Sequence, residues 1–340
     1  MTALEKGRPD RPVLSVRDLR VTVRTQGQEL EVLSDVGFDL RPRQTLGIVG
    51  ESGSGKSMTA FAVMGLLARN ARVTDGQVLL GDVDLLSLDR RQLSDVRGRD
   101  IGMIYQEARR SLNPAFTVGD QIAEVVRRHQ GASRKEARAR VVELLDMVRI
   151  PRAAERMHDY PHMFSGGMCQ RVMLAIALAC EPKVLIADEP TTALDVTVQA
   201  SVLSLLHDLQ DELGMALLLI THDLGVVADI CDDVAVMYAG RIVERAPVDD
   251  LFLRPAHPYT EGLLGAIPNV LAPSDRFVAI PGSVPPLDSM PQGCRFHPRC
   301  PYAEDRCTTE QPPLIRADAG HGSACVRVHE LELQGVATRV

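Results

Sequence analysis

The feature that most constrains this chain is the run Gly50-Glu51-Ser52-Gly53-Ser54-Gly55-Lys56-Ser57, which follows the apolar stretch Thr45–Val49 and precedes a helical pattern over residues 58–67. It fits G-x-x-x-x-G-K-[ST] in the strand-then-helix setting that this pattern requires. Glycines at 50, 53 and 55 let the backbone turn tightly and aim its N–H groups inward, at a helix N-terminus that favours anions. Lys56 is placed to reach the β and γ phosphates of a nucleotide, and the Ser57 hydroxyl to ligate Mg²⁺. A glycine-rich turn with an exposed lysine is the plainer alternative. It leaves the flanking strand and helix unexplained.

The surrounding patterns predict an α/β sheet. Residues 13–24 alternate, break at Gly27 and resume to Leu40, which predicts an antiparallel hairpin ahead of the loop. Residues 75–85 give two short strands around Gly81-Asp82, and residues 101–105 give another that ends at Gln106. Gln106 alone reads as an ordinary loop residue, but at a strand end it can present its amide to a metal or a water. From 107 to 163 no strand pattern occurs, while residues 118–129 and 134–148 carry helical spacing, so this section is expected to be a helical insertion.

Ser165 then reads as an N-cap, and Gly166 and Gly167 open a helix into the apolar run 172–180, a second potential anion site. Two phosphate-binding helix ends stand against one set of Mg²⁺ ligands. Val184–Asp188 is a near-continuous apolar run, suited to a parallel strand covered on both faces, and it delivers Asp188 and Glu189 where open α/β sheets bind ligands. An acidic pair at a strand end is, alone, more often a cap or a solvated turn. Beside a complete phosphate loop, Asp188 is predicted to hold Mg²⁺ and Glu189 to polarise the attacking water. Residues 196–213 read as a helix closed by Gly214, and residues 215–220 as a strand leading to His222. A lone histidine there is usually structural, but the end of a third strand in the series suits a γ-phosphate contact. Residues 234–244 predict a hairpin through Ala239-Gly240.

The net charge of -7 argues against nucleic acid as the main partner. The longest apolar stretches, 172–180 and 215–220, are too short to cross a bilayer, and residues 1–10 lack a signal-peptide core. Residues 1–12 are expected to be a flexible start, and the protein to be soluble and cytosolic while docking on a membrane protein.

Taken in order, these stretches resemble the nucleotide-binding subunit of an ATP-binding cassette (ABC) transporter. Gly50 to Ser57 is similar to the Walker A motif, Gln106 to the Q-loop, and Phe164-Ser165-Gly166-Gly167-Met168 to the signature. Residues 184–189 are similar to Walker B, Ala193-Leu194-Asp195 to the D-loop, and His222 to the switch histidine. The likeness spans residues 13–265, and the signature separates it from other phosphate-loop ATPases. It implies a P-loop NTPase core with an antiparallel β subdomain and a helical subdomain at about 107–175. It also implies that Gly50, Glu51, Ser52, Gly53, Ser54, Gly55, Lys56, Ser57, Asp188 and Asp195 serve ATP, with Ser57, Gln106 and Asp188 around Mg²⁺. Glu189 is then the catalytic base, and Gln106 and His222 sense the γ-phosphate. In such proteins two cassettes pair head to tail, so Ser165, Gly166 and Gly167 grip the nucleotide of a partner. That resolves the mismatch of number.

The Phe-Ser-Gly-Gly-Met variant, with the preceding His158-Asp159-Tyr160-Pro161-His162, resembles the oligopeptide and dipeptide importer branch. That branch implies an ATPase powering peptide import from the cytoplasmic face of the membrane, as a peripheral subunit. Its implied partners are a second ATPase chain, usually a paralogue, two transmembrane permease subunits and, indirectly, an extracytoplasmic substrate-binding protein, with no nucleic acid. The alternatives are a nickel or other solute importer of the same branch, a soluble ABC ATPase of DNA repair or translation, and a redox-sensing module. Two residues depart from the family pattern. Phe38 is the one aromatic before the phosphate loop, which leaves adenine to apolar residues near Val23 or Val32. Cys169 stands where the branch commonly has arginine, and reads as a buried packing cysteine.

Residues 255–268 resemble the tail that marks peptide and nickel importer ATPases, and residues 266–340 are expected to form a small irregular domain holding Cys294, Cys300, Cys307 and Cys325. Their spacing is wider than the close pairs usual in zinc sites, while an iron–sulfur cluster tolerates long spacings if the fold converges its thiolates. Some members of the branch carry a [4Fe-4S] cluster there. A [4Fe-4S] cluster is therefore expected, with Zn²⁺ or no metal as the alternatives.

Overall fold

The computed structural model describes residues 11–25, 27–192, 194–266 and 280–336. Most of the expected flexible start, Ala193 of the D-loop and residues 267–268 of the tail lie outside the described residues. Contacts gather the chain into two units, one of residues 1–14, 40–44 and 80–219, the other of residues 15–39, 45–79 and 220–340.

In the second unit Thr45–Val49 is buried at every position, as an apolar run flanked on both faces requires. It pairs in parallel with Asp233–Tyr238, Leu46 opposite Asp233 and Val49 opposite Val236. Asp233–Tyr238 turns through Ala239 and Gly240 into the antiparallel Arg241–Pro247, the hairpin that the sequence predicts. Both turn residues have positive φ, 44° and 82°, which matches the twist of a two-residue hairpin. Leu14–Thr25 and Gln28–Leu40 lie side by side in another sheet, with Ala71–Leu80 beyond Leu14–Thr25. The helix after the phosphate loop, Lys56–Val63, ends short of residue 67 because Gly65 takes a left-handed φ of 60°.

The cysteine-bearing region is largely irregular, with 3-10 turns at Leu287–Ser289, His297–Arg299 and Asp305–Thr308. It also lengthens the core sheet. His321–Ser323 pairs with Arg241–Pro247, Ser323 opposite Glu244, and Ile315–Asp318 pairs outside it.

In the first unit Val184–Asp188 is buried throughout and pairs in parallel with Ile101–Ile104, Ile101 opposite Val184, with Ala216–Thr221 on its other side. No described residue from 107 to 163 lies in a strand. The section instead builds Val118–Gln130 and Arg134–Met147, which precede Gly166–Leu178. Local chemistry fixes their ends: Thr117 Oγ1 accepts from the Asp120 amide, Ser133 and Glu136 form a capping box, and Gly131 ends the first helix at φ 66°. Ile122, Val126, Val141, Leu144, Leu145 and Val172 are buried among these helices. Each such side chain contributes about 1.5–3 kcal/mol relative to exposure. Val196–Leu213 starts at the Asp195 cap and stops at Gly214, φ 65°, as the sequence predicts.

Candidate functional site

The phosphate loop lies in the second unit. Gly50, Gly53 and Gly55 have φ of 152°, 79° and 106°. A Cβ on Gly50 would lie 2.1 Å from the Met237 carbonyl oxygen, and one on Gly55 2.8 Å from Leu33 Cδ2, so side chains are excluded at both. Gly55 brings no side-chain acceptor to the start of Lys56–Val63, a helix end suited to an anion. Ser54 Oγ is buried without a hydrogen-bond partner, while its carbonyl accepts from the Gly240 amide at 2.8 Å. The Lys56 ammonium lies inside the loop, donating to the carbonyls of Gly50 at 2.8 Å and Glu51 at 3.0 Å. A buried ammonium, an orphaned hydroxyl and a glycine cradle at a helix start fit a polyphosphate, with Ser57 next in the chain for its Mg²⁺.

Glu51 holds contacts that sequence reasoning missed. Its carboxylate accepts from Arg299 Nη1 at 2.6 Å and Nη2 at 2.9 Å, and its amide donates to Tyr259 Oη at 2.9 Å. His222 is exposed beyond Ala216–Thr221, and the next residue, Asp223, accepts from the amides of Gly225 and Val226 to cap Leu224–Ile230. Phe38 is buried in the core, whereas Val23 and Val32 are half-buried.

The acidic residues lie in the first unit. Asp188 ends Val184–Asp188 at 1% exposure. Glu189 turns the chain off that strand at φ 46°, a costly conformation for a non-glycine residue. Its Oε2 accepts from Gln106 Nε2 at 2.9 Å and from Thr192 Oγ1 at 2.8 Å. Gln106 and Glu189, picked out separately in the sequence, are thus in direct contact. Thr192 was not picked out, and its signal is only its place three residues after the carboxylate.

The signature shares this unit. Ser165 Oγ accepts from the Met168 amide and opens Gly166–Leu178. Gly167 packs so closely on Val198 that a Cβ would lie 2.5 Å from Cγ1, and the Val198 amide donates to Asp195 Oδ1 at 3.0 Å. Val198 therefore touches both the signature and the Asp195 cap. Arg109 Nη2 donates to the Phe164 carbonyl at 3.0 Å, tying the stretch after Gln106 to the residue before Ser165. Cys169 is fully buried with its thiol pushed up by burial, a packing cysteine as expected.

Cys294, Cys300, Cys307 and Cys325 line one small pocket together with His257, Phe296 and Tyr302. Burial pushes the Cys300 and Cys325 thiols up to about 11. Among the described residues no three His, Cys, Asp or Glu side chains are gathered to hold a metal ion. The expected [4Fe-4S] cluster and its Zn²⁺ alternative are therefore not supported: the four side chains share a pocket without forming a ligand set.

A phosphate loop ahead of a helix, an acidic pair closing a buried parallel strand and a helix opened by Ser-Gly-Gly define a P-loop ATPase of the ABC type. Residues 33–192 match the ABC transporter family, and residues 243–307 match the oligopeptide/dipeptide transporter C-terminal region. The chain is 50% identical over 331 residues to the oligopeptide transport ATP-binding protein OppD of Salmonella typhimurium, covering 97% of this chain and 98% of that protein. It is 50% identical over 319 residues to AppD, the oligopeptide transport ATP-binding protein of Bacillus subtilis, covering 94% and 97%. Among solved structures, a dimeric bacterial ABC transporter cassette, MJ0796, is 27% identical with a TM-score of 0.62, covering 69% of this chain and 98% of that one. The chain belongs to the family of ABC transporter ATP-binding proteins, and ATP hydrolysis is its reaction.

Proposed function

We propose that this chain is the ATP-hydrolysing subunit of a peptide importer, coupling closure and reopening of paired cassettes to alternating access in membrane permease subunits. The observation that carries this reading is 50% identity to an oligopeptide transport ATP-binding protein along 97% of the chain, the oligopeptide-type C-terminal region included. Lys56 and the loop amides hold the phosphates, while Ser57, Asp188 and Gln106 serve the Mg²⁺ that ATP brings. Glu189 orients and deprotonates the attacking water, and His222 and Gln106 respond to the γ-phosphate. Transport names among the relatives give no support to a DNA-repair or translation role.

Two surface features support the partners. Phe116, Tyr160 and Met163 are exposed at 54%, 40% and 53%. The segments that carry the first two are joined by the Val118 amide donating to the Asp159 carbonyl at 3.0 Å, which brings these exposed apolar residues to one region of the helical section, suited to a permease loop. Val196, beside Asp195, is 83% exposed, which suits contact with a second cassette, a paralogue in this branch. The oligopeptide transport relatives support peripheral attachment through these subunits; among the described residues no helix is long and apolar enough to cross a membrane. The test is coexpression with the permeases and purification from membranes. Phe116→Asp should leave ATP binding by the free chain intact while lowering its recovery with the permeases several-fold. Full recovery of the variant would refute the docking surface, and parental ATP binding by Lys56→Ala would refute the nucleotide site.

A further inference from the structure

Within the phosphate loop, residues 50–57, Glu51 is the one carboxylate. A negative charge in a loop built to hold polyphosphate opposes its ligand, since like charges a few ångströms apart repel strongly where water is scarce. The opposing cation comes from far along the chain. Arg299, 5% exposed at its side chain, grips Glu51 with two nitrogens across a separation of 248 residues. Its Nε donates to the Pro281 carbonyl at 2.8 Å, and its guanidinium lies 5.7 Å from the centre of the Tyr238 ring, so the fork is fixed on several sides. A planar guanidinium held in this way is set up for one bidentate partner.

A second arginine of the same segment braces the loop from behind. Arg295 Nη1 donates to the Ala239 carbonyl at 2.5 Å and Nη2 to Glu31 at 3.1 Å. The adjoining Gly240 amide holds the Ser54 carbonyl of the loop at 2.8 Å, and the Gly240 carbonyl accepts from the Ser34 amide. Phe296, between the two arginines, packs on Tyr238 and Tyr259 with ring centres 5.1 and 5.3 Å away. Residues 295–299 therefore reach the loop by a charge pair and by a braced turn, over a shared aromatic base.

We propose that Arg299 is a positioning residue for ATP: by neutralising and orienting Glu51, it keeps the phosphate loop an anion site, which makes the C-terminal extension a working part of the nucleotide site. The proposal rests on residues 50–57 being the ATP site, and Lys56→Ala tests that separately, since parental ATP affinity in Lys56→Ala would remove the site itself. Without Arg299, the Glu51 carboxylate is left half-buried and unpaired beside the phosphates. Removing Glu51 as well takes the repulsion away.

The experiment is equilibrium binding of ATP to the full-length chain, with thermal melting run alongside. Arg299→Ala is expected to weaken ATP binding by about ten-fold or more, and more at low than at high salt. Glu51→Gln in the same chain should restore affinity to within about three-fold of the parent, a rescue that a purely structural role for Arg299 does not give. Arg299→Lys keeps the charge but not the planar fork, so its ATP affinity should fall between those of the parent and Arg299→Ala. Parental affinity in folded Arg299→Ala, or a double variant as weak as Arg299→Ala alone, would overturn the proposal. If Arg299→Ala does not fold, Arg299→Gln carries the same test: parental ATP affinity there, or no recovery on adding Glu51→Gln, would overturn the proposal.

Discussion

Glu189 Oε2 accepts hydrogen bonds from both Gln106 Nε2 and Thr192 Oγ1, at 2.9 and 2.8 Å, so the carboxylate proposed as the base is aimed by one residue just beyond the neighbouring strand Ile101–Ile104 and one from the turn after it. Hydrogen bonds to an ionised group are the strong ones, and they fix direction as well as charge. Thr192→Val keeps the shape and removes one donor. It is expected to lower kcat about ten-fold, part of the 10²–10⁴ that a positioned base supplies, with KM for ATP within about two-fold. Thr192→Ser should recover most of the loss. Steady-state hydrolysis by the three proteins checks this, and equal kcat in parent and Thr192→Val would show that the hydroxyl does not orient the base.

Gly167 is held against Val198, with 2.5 Å between a Cβ built on the glycine and Val198 Cγ1. Gly167→Ala must push the signature helix off the helix Val196–Leu213, at a cost of about 1–3 kcal/mol for overpacking. A lower melting temperature together with reduced hydrolysis is the expected result. Adding Val198→Ala opens room for the methyl group and should restore the melting temperature; a double variant no more stable than Gly167→Ala would place the strain elsewhere.

His257 gives the chain a pH dependence. It is 1% exposed, its Nδ1 accepts from the Tyr259 amide at 3.1 Å, and burial pushes its pKa down to about 3. In the unfolded chain a histidine titrates near 6.5, so between those values the unfolded state binds a proton that the folded state refuses. Stability from this group is therefore complete above about pH 6.5 and declines as pH falls, by about 2 kcal/mol between pH 7 and pH 5. His257→Asn retains an acceptor for Tyr259 but does not titrate. Urea unfolding at the two pH values should show the parent losing more stability than this variant; equal losses would mean that His257 is protonated in the fold.

The parts of the site visible in the sequence are those set by local pattern. Glycines at 50, 53 and 55, the all-apolar runs of Thr45–Val49 and Val184–Asp188, and the Ser165 cap each impose a backbone state on their own neighbours. What the sequence hid depends on distance in the chain. Arg299 sits among prolines with no periodicity, and nothing local marks its partner as Glu51, 248 residues away. Ile315–Asp318 and His321–Ser323 are too short to announce themselves and exist because Arg241–Pro247 offers an edge to pair with. The cysteines show the same limit: their spacing suggests a ligand set, and whether they converge depends on a fold that spacing does not specify. They line one pocket with Phe296 and Tyr302 without three of them gathering as metal ligands among the described residues.

The proposed role of Glu189 is that of the base in an ATP hydrolysis that drives transport. Its most direct test is ATP hydrolysis by the complex assembled with its permease subunits, comparing the parent with Glu189→Gln, which keeps the side-chain shape and removes the base. The variant is expected to bind ATP with parental affinity and to lose at least about a hundred-fold in turnover, the lower end of what a general base contributes. Turnover at the parental rate in the assembled Glu189→Gln complex would contradict the account.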